Sequence, residues 1–223
     1  MTAVPIGLSG IGQAPLAMML SLADSRLPVG GHVHSGGIEQ AVADGDVRSV
    51  VTLADFLRRR VETAALVAAS VAAQVAGGKL SVQRAQREMD ARTPSSAARQ
   101  ASYSQGRGMV RLAKRLYPQH DWHEHSPVSH LPVISGSVGV AAGLSPQQTA
   151  LVLVYTTMSG SATAGQRLLA LDPADVAVTI AELSPLCEQV AEEATTGLAD
   201  LSDPIFDLYA ERHARREMPL FMS

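Results

Sequence analysis

The chain has 223 residues, a hydrophobic fraction of 46%, a formal net charge of −3 and a single cysteine. This apolar content excludes a disordered chain, and the acidic balance gives no electrostatic basis for binding nucleic acid. Aromatic residues make up only 4%, so the core has to be built from Ala, Leu and Val, which favour closely packed helices. The length suits one domain or two small ones, and no linker is visible. We therefore predict one all-α domain over residues 1–223, a bundle of about eight to ten helices.

The N-terminal part contains short elements. Residues 1–13 carry three Gly and one Pro, which is typical of a loose tail. A short buried helix is predicted over Pro15–Ser25, and a loop over Arg26–Gly31. A second helix, Ser35–Ala43, ends at Gly45.

A long helix is predicted over Thr52–Ala76. Thr52 with Asp55 three residues on resembles a capping box, and apolar residues then recur at helical spacing as far as Gly77-Gly78. The run Arg58-Arg59-Arg60 lies inside this helix and spans most of a turn. It favours a solvated face with one or two ion pairs, and a partner-binding patch is the alternative.

The rest of the chain carries repeated helix-start signals. A polar helix is predicted over Ser81–Ala91. An N-cap residue followed by proline, the pattern of a first helical turn, occurs at Thr93-Pro94, Ser145-Pro146, Asp172-Pro173 and Asp203-Pro204. The first of these helices runs to Leu116. In the third, Pro185 is expected to kink or split the helix, and Cys187 reads as a small buried hydrophobe. Gly106 and Gly108 indicate close helix contact or a kink.

Histidine is the residue type that most suggests metal chemistry. Four histidines cluster between residues 119 and 130, a stretch that we expect to be a long surface loop. Neutral imidazole is a ligand for nickel, copper and zinc, but no carboxylate or thiolate spacing completes a ligand set. An exposed polar loop is therefore the favoured interpretation, and a histidine-rich metal-binding protein or metalloenzyme is the alternative. Its candidate ligands are His32, His34, His123 and His125.

Other sequence signals for catalysis and for membranes are missing. The sequence has no phosphate-binding glycine loop, no dinucleotide fingerprint and no nucleophile elbow. It also has no apolar run with the length of a membrane span and no signal-peptide pattern. With one cysteine, a reducing compartment fits, so we expect a cytoplasmic protein that does not act as an enzyme.

The loop Leu27-Pro28-Val29-Gly30-Gly31 has an unusual glycine content. Together with Gly36 and Gly37 it places four glycines in eight residues, which permit positive φ but cost chain entropy on ordering. Two interpretations are open on these residues alone. The loop is either an ordinary helix–helix turn with glycine caps or a binding loop.

Three segments resemble the family of urease accessory proteins called UreF. Leu22–Glu39 is similar to the family signature, a Leu-Pro-x-Gly-Gly stretch followed by Ser-x-Gly-Leu-Glu, here ending Ser35-Gly36-Gly37-Ile38-Glu39. Gly165-Gln166 with the following apolar pair resembles a second family element. Leu220-Phe221-x-Ser223 is similar to the family's terminus. His32-Val33, residues 159–162 and Pro219 depart from the family pattern in the manner of its actinobacterial branch.

The resemblance implies a non-catalytic, all-α, dimeric chaperone. Such proteins bind the accessory protein UreD/UreH, recruit the GTPase UreG and help deliver nickel to the urease apoprotein, with nickel in transit and no permanently bound cofactor. The C-terminal tail, residues 214–223, is implied in the UreD/UreH contact. The partner-binding residues that the resemblance implies are Leu27, Pro28, Gly30, Gly31, Ser35, Glu39, Gly165, Gln166, Leu220 and Phe221.

Overall fold

The computed structural model describes residues 16–29, 34–125, 128–200, 203–217 and 220–221. The loose tail predicted for residues 1–13 lies outside these ranges, as do Gly30, Gly31 and His32. Within them the regular secondary structure is helical and no strand element occurs, which confirms the all-α class. None of the helices in the described ranges is long and apolar enough to cross a membrane.

The helices follow one another with short connections. Their bounds are α1 Leu16–Leu22, α2 Ile38–Ala43, α3 Val50–Arg60, α4 Leu66–Ala76, α5 Val82–Arg92, α6 Ser96–Leu116, α7 Leu131–Ala141, α8 Pro146–Leu169, α9 Pro173–Glu193 and α10 Pro204–His213. A π turn, Val61–Ala65, joins α3 to α4 without interruption. A short 3-10 turn, His123–His125, lies between α6 and α7.

Three of the four N-cap–proline signals begin a helix where they were predicted to. The Ser145 side chain accepts the backbone N–H of Gln148 and forms a capping box at the start of α8. The side chains of Asp172 and Asp203 cap α9 and α10 in the same way. These starts are local, since each cap satisfies a backbone donor that has no partner in the helix.

Three predicted helix starts were wrong. Helix α2 begins at Ile38 and not at Ser35, because Gly36 and Gly37 have positive φ. Thr93 ends α5, and Ser95 caps α6 instead. Helix α3 follows the cap Ser49, three residues before the predicted one, with Thr52 closing the capping box from inside the helix. At the starts of α3 and α6 a serine nearby offers a better-placed hydroxyl to the free N–H groups of the first turn.

Helices α1 and α7 also differ from expectation. Helix α1 is not buried, because Leu16 and Leu20 are 68% and 64% exposed and only Leu22 is buried. Helix α9 continues through Pro185, so of the two effects expected of this proline the split does not occur. Helix α7 was not predicted at all, since its apolar residues are nearly continuous and give little helical periodicity.

The core is centred on α4 and α8. Helix α4 packs against α7 and α8, and α8 packs in turn against α9. Cys187 of α9 is buried, with its Sγ 3.6 Å from the Met158 Sδ of α8, and burial raises the pKa of its thiol to about 11. This confirms the prediction that Cys187 is a small buried hydrophobe. A second cluster around Trp122 fills the space between α1, α6 and α7.

The two glycines of α6 lie at close approaches of backbone, which confirms close contact, although the segments in contact are connections and not helices as predicted. A Cβ added at Gly106 would lie 1.8 Å from the carbonyl oxygen of Ser129. A Cβ at Gly108 would lie 2.9 Å from both the Cα and the carbonyl oxygen of Val29. Two connecting segments, one before α7 and one after α1, therefore pack directly against the backbone of α6.

We expect Gly106→Ala to lower the free energy of unfolding by about 1–3 kcal/mol, because the new methyl group must displace backbone that cannot move cheaply. Gly160→Ala in α8 is the matched control, since a Cβ there meets nothing within 4 Å. Urea denaturation followed by circular dichroism measures both. Equal stability of the two variants would contradict the close approach at Gly106.

Candidate functional site

The segment after α1 forms a tight turn with Pro28 on the outside. The Asp24 carboxylate accepts the backbone N–H of Arg26 at 2.8 Å and pairs with the Arg26 guanidinium. The Leu27 N–H then donates to the Asp24 carbonyl at 3.1 Å, and the Val29 N–H to the Leu27 carbonyl at 2.7 Å. The described part of the glycine-rich loop is therefore a folded turn rather than an extended connector.

Gly36 and Gly37 supply the positive φ that the sequence predicted for this segment. Their φ values are +64° and +93°, and Gly37 is the left-handed residue that precedes α2. Ser35 and Ile38 on either side of them are fully buried. The glycines therefore allow the chain to turn into α2 while its flanking residues stay in the core.

The Glu39 carboxylate binds the C-terminal tail. It accepts the backbone N–H groups of Leu220 at 2.8 Å and Phe221 at 3.0 Å, and it lies 2.7 Å from the His213 Nε2. Glu39 is only 3% exposed. Burial acts to raise the pKa of Glu39, but the hydrogen bonds from Leu220, His213 and Phe221 outweigh it and the pKa is lowered. Leu220 and Phe221 of the tail thus dock on their own domain through Glu39, a residue of Leu22–Glu39, which we call the signature segment.

Gly165 of α8 packs on that same segment. A Cβ at Gly165 would lie 2.8 Å from the Leu53 Cδ1 and 3.4 Å from the Ile38 Cγ1, so the glycine lets α8 approach α2 and α3. One turn earlier, the Ser161 hydroxyl donates to the Ser35 carbonyl at 3.4 Å. The neighbouring Gln166 is partly exposed. The segments that are far apart in the sequence therefore meet at one place in the structure.

A cleft of about 200 Å³, which we call the α8 cleft, opens where they meet. It is lined by the turn after α1 and by residues of α6, α7 and α8. Among the predicted site residues, Leu27, His34 and Phe221 line it. Ser35, Glu39 and Gly165 are buried and do not line it, so they stabilise the packing of these segments rather than contact a ligand in the cleft.

The three consecutive arginines of α3 have three different surroundings. Arg58 is exposed, and Arg59 forms an ion pair with Asp203, which confirms the expected pairing on this helix. Arg60 is partly buried and lines the α8 cleft, with its guanidinium carbon 5.4 Å from the centre of the Phe206 ring. The prediction that all three arginines lie on a solvated face is therefore wrong for Arg60, because its side chain lines the cleft.

The histidines between residues 119 and 130 do not form the exposed loop that was predicted. His125 is buried, and its Nδ1 and Nε2 lie 3.0 and 2.9 Å from the hydroxyls of Ser129 and Ser137. Burial lowers the pKa of His125 to about 4. His130 is fully buried and its Nε2 lies 3.1 Å from Asp90. Both rings satisfy polar groups inside the protein, a role that residue spacing does not reveal.

Of the predicted metal-ligand candidates, His32 lies outside the described residues, and His34, His123 and His125 belong to no described group that could hold a metal ion. His123 is exposed, and its Nδ1 lies 2.8 Å from Asp121. His125 would have to leave the core to bind a metal, because both of its ring nitrogens are engaged. Within the ranges that the structure describes, no group of three or more His, Cys, Asp or Glu residues could hold a metal ion.

Two residues of the site were missed by the sequence reasoning. No local sequence pattern indicates a role for His213. It lies at the polar end of a short helix, and its partner Glu39 is 174 positions away. Arg60 was seen only as part of a charge run. The crowding of Gly36 by its guanidinium depends on tertiary structure and left no local pattern.

Comparisons with known proteins give one consistent result. The family model UreF matches residues 40–184, more than half of the chain. The urease accessory protein UreF of Mycobacterium tuberculosis (strain ATCC 25618 / H37Rv) is 60% identical over 208 residues, which cover 93% of this chain and 99% of the relative. The protein of the same name from Mycobacterium marinum (strain ATCC BAA-535 / M) is 59% identical over the same coverage.

The fold and the converging segments define an all-α protein with a cleft where the signature segment, α8 and the tail meet. The relatives identify this all-α protein as a urease accessory protein. The chain belongs to the UreF family.

The burial of His125 predicts a pH dependence of stability. Its pKa in the folded protein, about 4, lies below the ordinary value of 6.5. Its contribution is therefore fully present above pH 6.5 and declines as the pH falls from 6.5 towards 4, because the unfolded chain binds the proton more readily. Urea denaturation at several pH values should show a smaller decline over this window for His125→Gln than for the exposed control His123→Gln. Parallel curves would contradict the role of His125.

The Glu39 contacts predict how the tail is held. Glu39→Gln keeps the shape but removes the charge that strengthens three hydrogen bonds, so Leu220 and Phe221 should detach more often. We expect trypsin to cleave after Arg215 or Arg216 at least several-fold faster, as followed by mass spectrometry. The exposed carboxylate Glu62 supplies the control variant Glu62→Gln. Unchanged cleavage in the Glu39 variant would show that the tail is held by other contacts.

Proposed function

We propose that this protein is a non-catalytic chaperone of urease maturation that binds the accessory protein UreD/UreH and recruits the GTPase UreG for nickel insertion into apo-urease. The observation that carries the proposal is the 60% identity, over 93% of the chain, with proteins named urease accessory protein UreF. Nickel is the cargo of this process in the proposal, and the chain needs no bound cofactor of its own.

The tail supports a contact with UreD/UreH. The Leu220 side chain is 80% exposed although its backbone N–H is held by Glu39. An apolar side chain displayed on a fixed backbone loses little further entropy when a partner covers it. The tail is therefore pre-organised for binding while it is docked on its own domain.

The turn around Pro28 supplies a second contact region in the proposal. Pro28 is exposed, and Leu27 beside it lines the same cleft as Phe221 of the tail. One partner lying across the cleft would therefore reach both segments. A partner that contacts both segments would bind the signature segment and the tail as one continuous surface.

The proposed setting is a cytoplasmic homodimer, as the resemblance to the family implies. The single cysteine is buried, which fits a reducing compartment. Light scattering of the purified chain, alone and with UreG, tests the dimer.

Leu220→Asp tests the proposed tail contact. A charge at this exposed position leaves the hydrogen bonds of Glu39 in place but should weaken binding of UreD/UreH at least tenfold, about 1.4 kcal/mol. The measurement is biolayer interferometry with purified UreD/UreH, together with urease activation in cells carrying only the variant. Val51→Asp, at a position of similar exposure on α3, is the control. Wild-type affinity of the Leu220 variant would remove the tail from the interface.

A further inference from the structure

The end of the α8 cleft next to α3 contains a cationic side chain and a hydroxyl at one point. A Cβ added at Gly36 would lie 2.7 Å from the Arg60 Nη2 and 3.0 Å from the Ser161 Oγ. Both groups therefore lie against the Gly36 backbone, where a side chain would collide with them. Because Gly36 has no side chain and a φ of +64°, the Arg60 guanidinium and the Ser161 hydroxyl can lie this close to the backbone at one end of the cleft.

The Arg60 charge is only partly compensated by the described residues. Its Nε is buried and has no hydrogen-bond partner among them, as is also true of the Ser35 Oγ next to Gly36. The Phe206 ring provides a cation–π contact at 5.4 Å. Burial lowers the pKa of Arg60 to about 10, so the guanidinium is still protonated at neutral pH. A buried cation in this state is stabilised by an anion that supplies the missing acceptor.

The cleft as a whole has a positive balance. Arg167 lines it together with Arg60 and is exposed. Among the described lining residues the one acidic side chain is Asp24, which is already paired with Arg26. Apolar side chains also line the cleft, among them Leu27, Met109, Leu153 and Phe221. A ligand that fits this cleft is therefore anionic at one end and apolar next to it.

We propose that the Arg60 end of the α8 cleft binds the carboxylate of a glutamate or aspartate side chain from a partner protein, with a neighbouring apolar side chain of that partner in the apolar part of the cleft. A guanidinium matches the planar, two-oxygen geometry of a carboxylate. The Ser161 hydroxyl can donate to the same carboxylate only by giving up its long, 3.4 Å hydrogen bond to the Ser35 carbonyl, so Arg60 is the main donor in the proposal. The cleft, at about 200 Å³, is smaller than a typical site for a drug-sized molecule, which favours one or two side chains as the occupant.

The carboxylate site goes beyond the proposed function, because it specifies the chemical group that the cleft binds and does not depend on which partner protein supplies that group. A short synthetic peptide is therefore a sufficient probe. Failure of the peptide to bind therefore leaves the UreD/UreH experiment with Leu220→Asp untouched, and failure of that experiment leaves the carboxylate site standing.

The test uses the full-length protein and the peptide acetyl-Leu-Glu-Leu-amide, with acetyl-Leu-Gln-Leu-amide as its neutral counterpart. The ¹H–¹⁵N resonance of the Arg60 Nε is a suitable reporter, since burial of this N–H slows its exchange with water. We expect the glutamate peptide to shift it saturably with a Kd of about 1 mM. The glutamine peptide should bind at least tenfold more weakly.

Two variants and a competing ion complete the design. Arg60→Met removes the reporter itself, so binding by the variants is followed at the backbone amide resonances of Gly36 and Ser161. These should not shift with the glutamate peptide in Arg60→Met, while the other resonances keep their dispersion. In Arg58→Met, an exposed neighbour on the same helix, they should shift as in the wild type. No shift of the wild-type Arg60 resonance with the glutamate peptide, or equal shifts with both peptides, would overturn the proposal. Tighter binding of inorganic phosphate than of the glutamate peptide would likewise overturn the assignment to a carboxylate.

Discussion

The position of the signature segment depends on one buried carboxylate. Helix α2 has six residues, too few to be stable alone, so its place must be fixed by tertiary contacts. Glu39 provides these by binding His213 at the end of α10 and two N–H groups of the tail. With three donors, the cost of burying its charge is offset. Because Gly36 and Gly37 lead directly into α2, the same contacts also fix the mouth of the α8 cleft.

Much of the helical framework could be predicted because its signals are local. Caps such as Ser145 and Asp172 act within three residues, and the glycine that follows a helix, such as Gly45, needs only its own φ. The buried state of Cys187 could be predicted from the apolar spacing of α9. The close approaches at Gly106 and Gly108 were indicated because a glycine inside a helix is unfavourable unless packing requires it.

The contacts that form the site could not be predicted, because they join residues far apart in the chain. Glu39 and Leu220 are separated by 181 positions, and neither residue has a neighbour that signals the other. The buried histidines were misread for a related reason. His125 and His130 lie in a polar stretch, and only the packing of α5, α6 and α7 around them shows that their partners are internal. Family resemblance marked Glu39 as important without indicating what it binds.

The π turn between α3 and α4 gives this stretch an unusual sensitivity to its length. A π turn holds one residue more than a regular helical turn, and each residue rotates a helix face by about 100°. The extra residue lets Arg59 and Arg60 face α10 and the cleft while α4 still turns its alanines and valines into the core. Deleting one residue between Val61 and Ala65 would rotate either the arginines of α3 or the apolar face of α4 out of place. Relatives that keep both of these contacts should therefore tolerate substitutions in this turn far better than insertions or deletions.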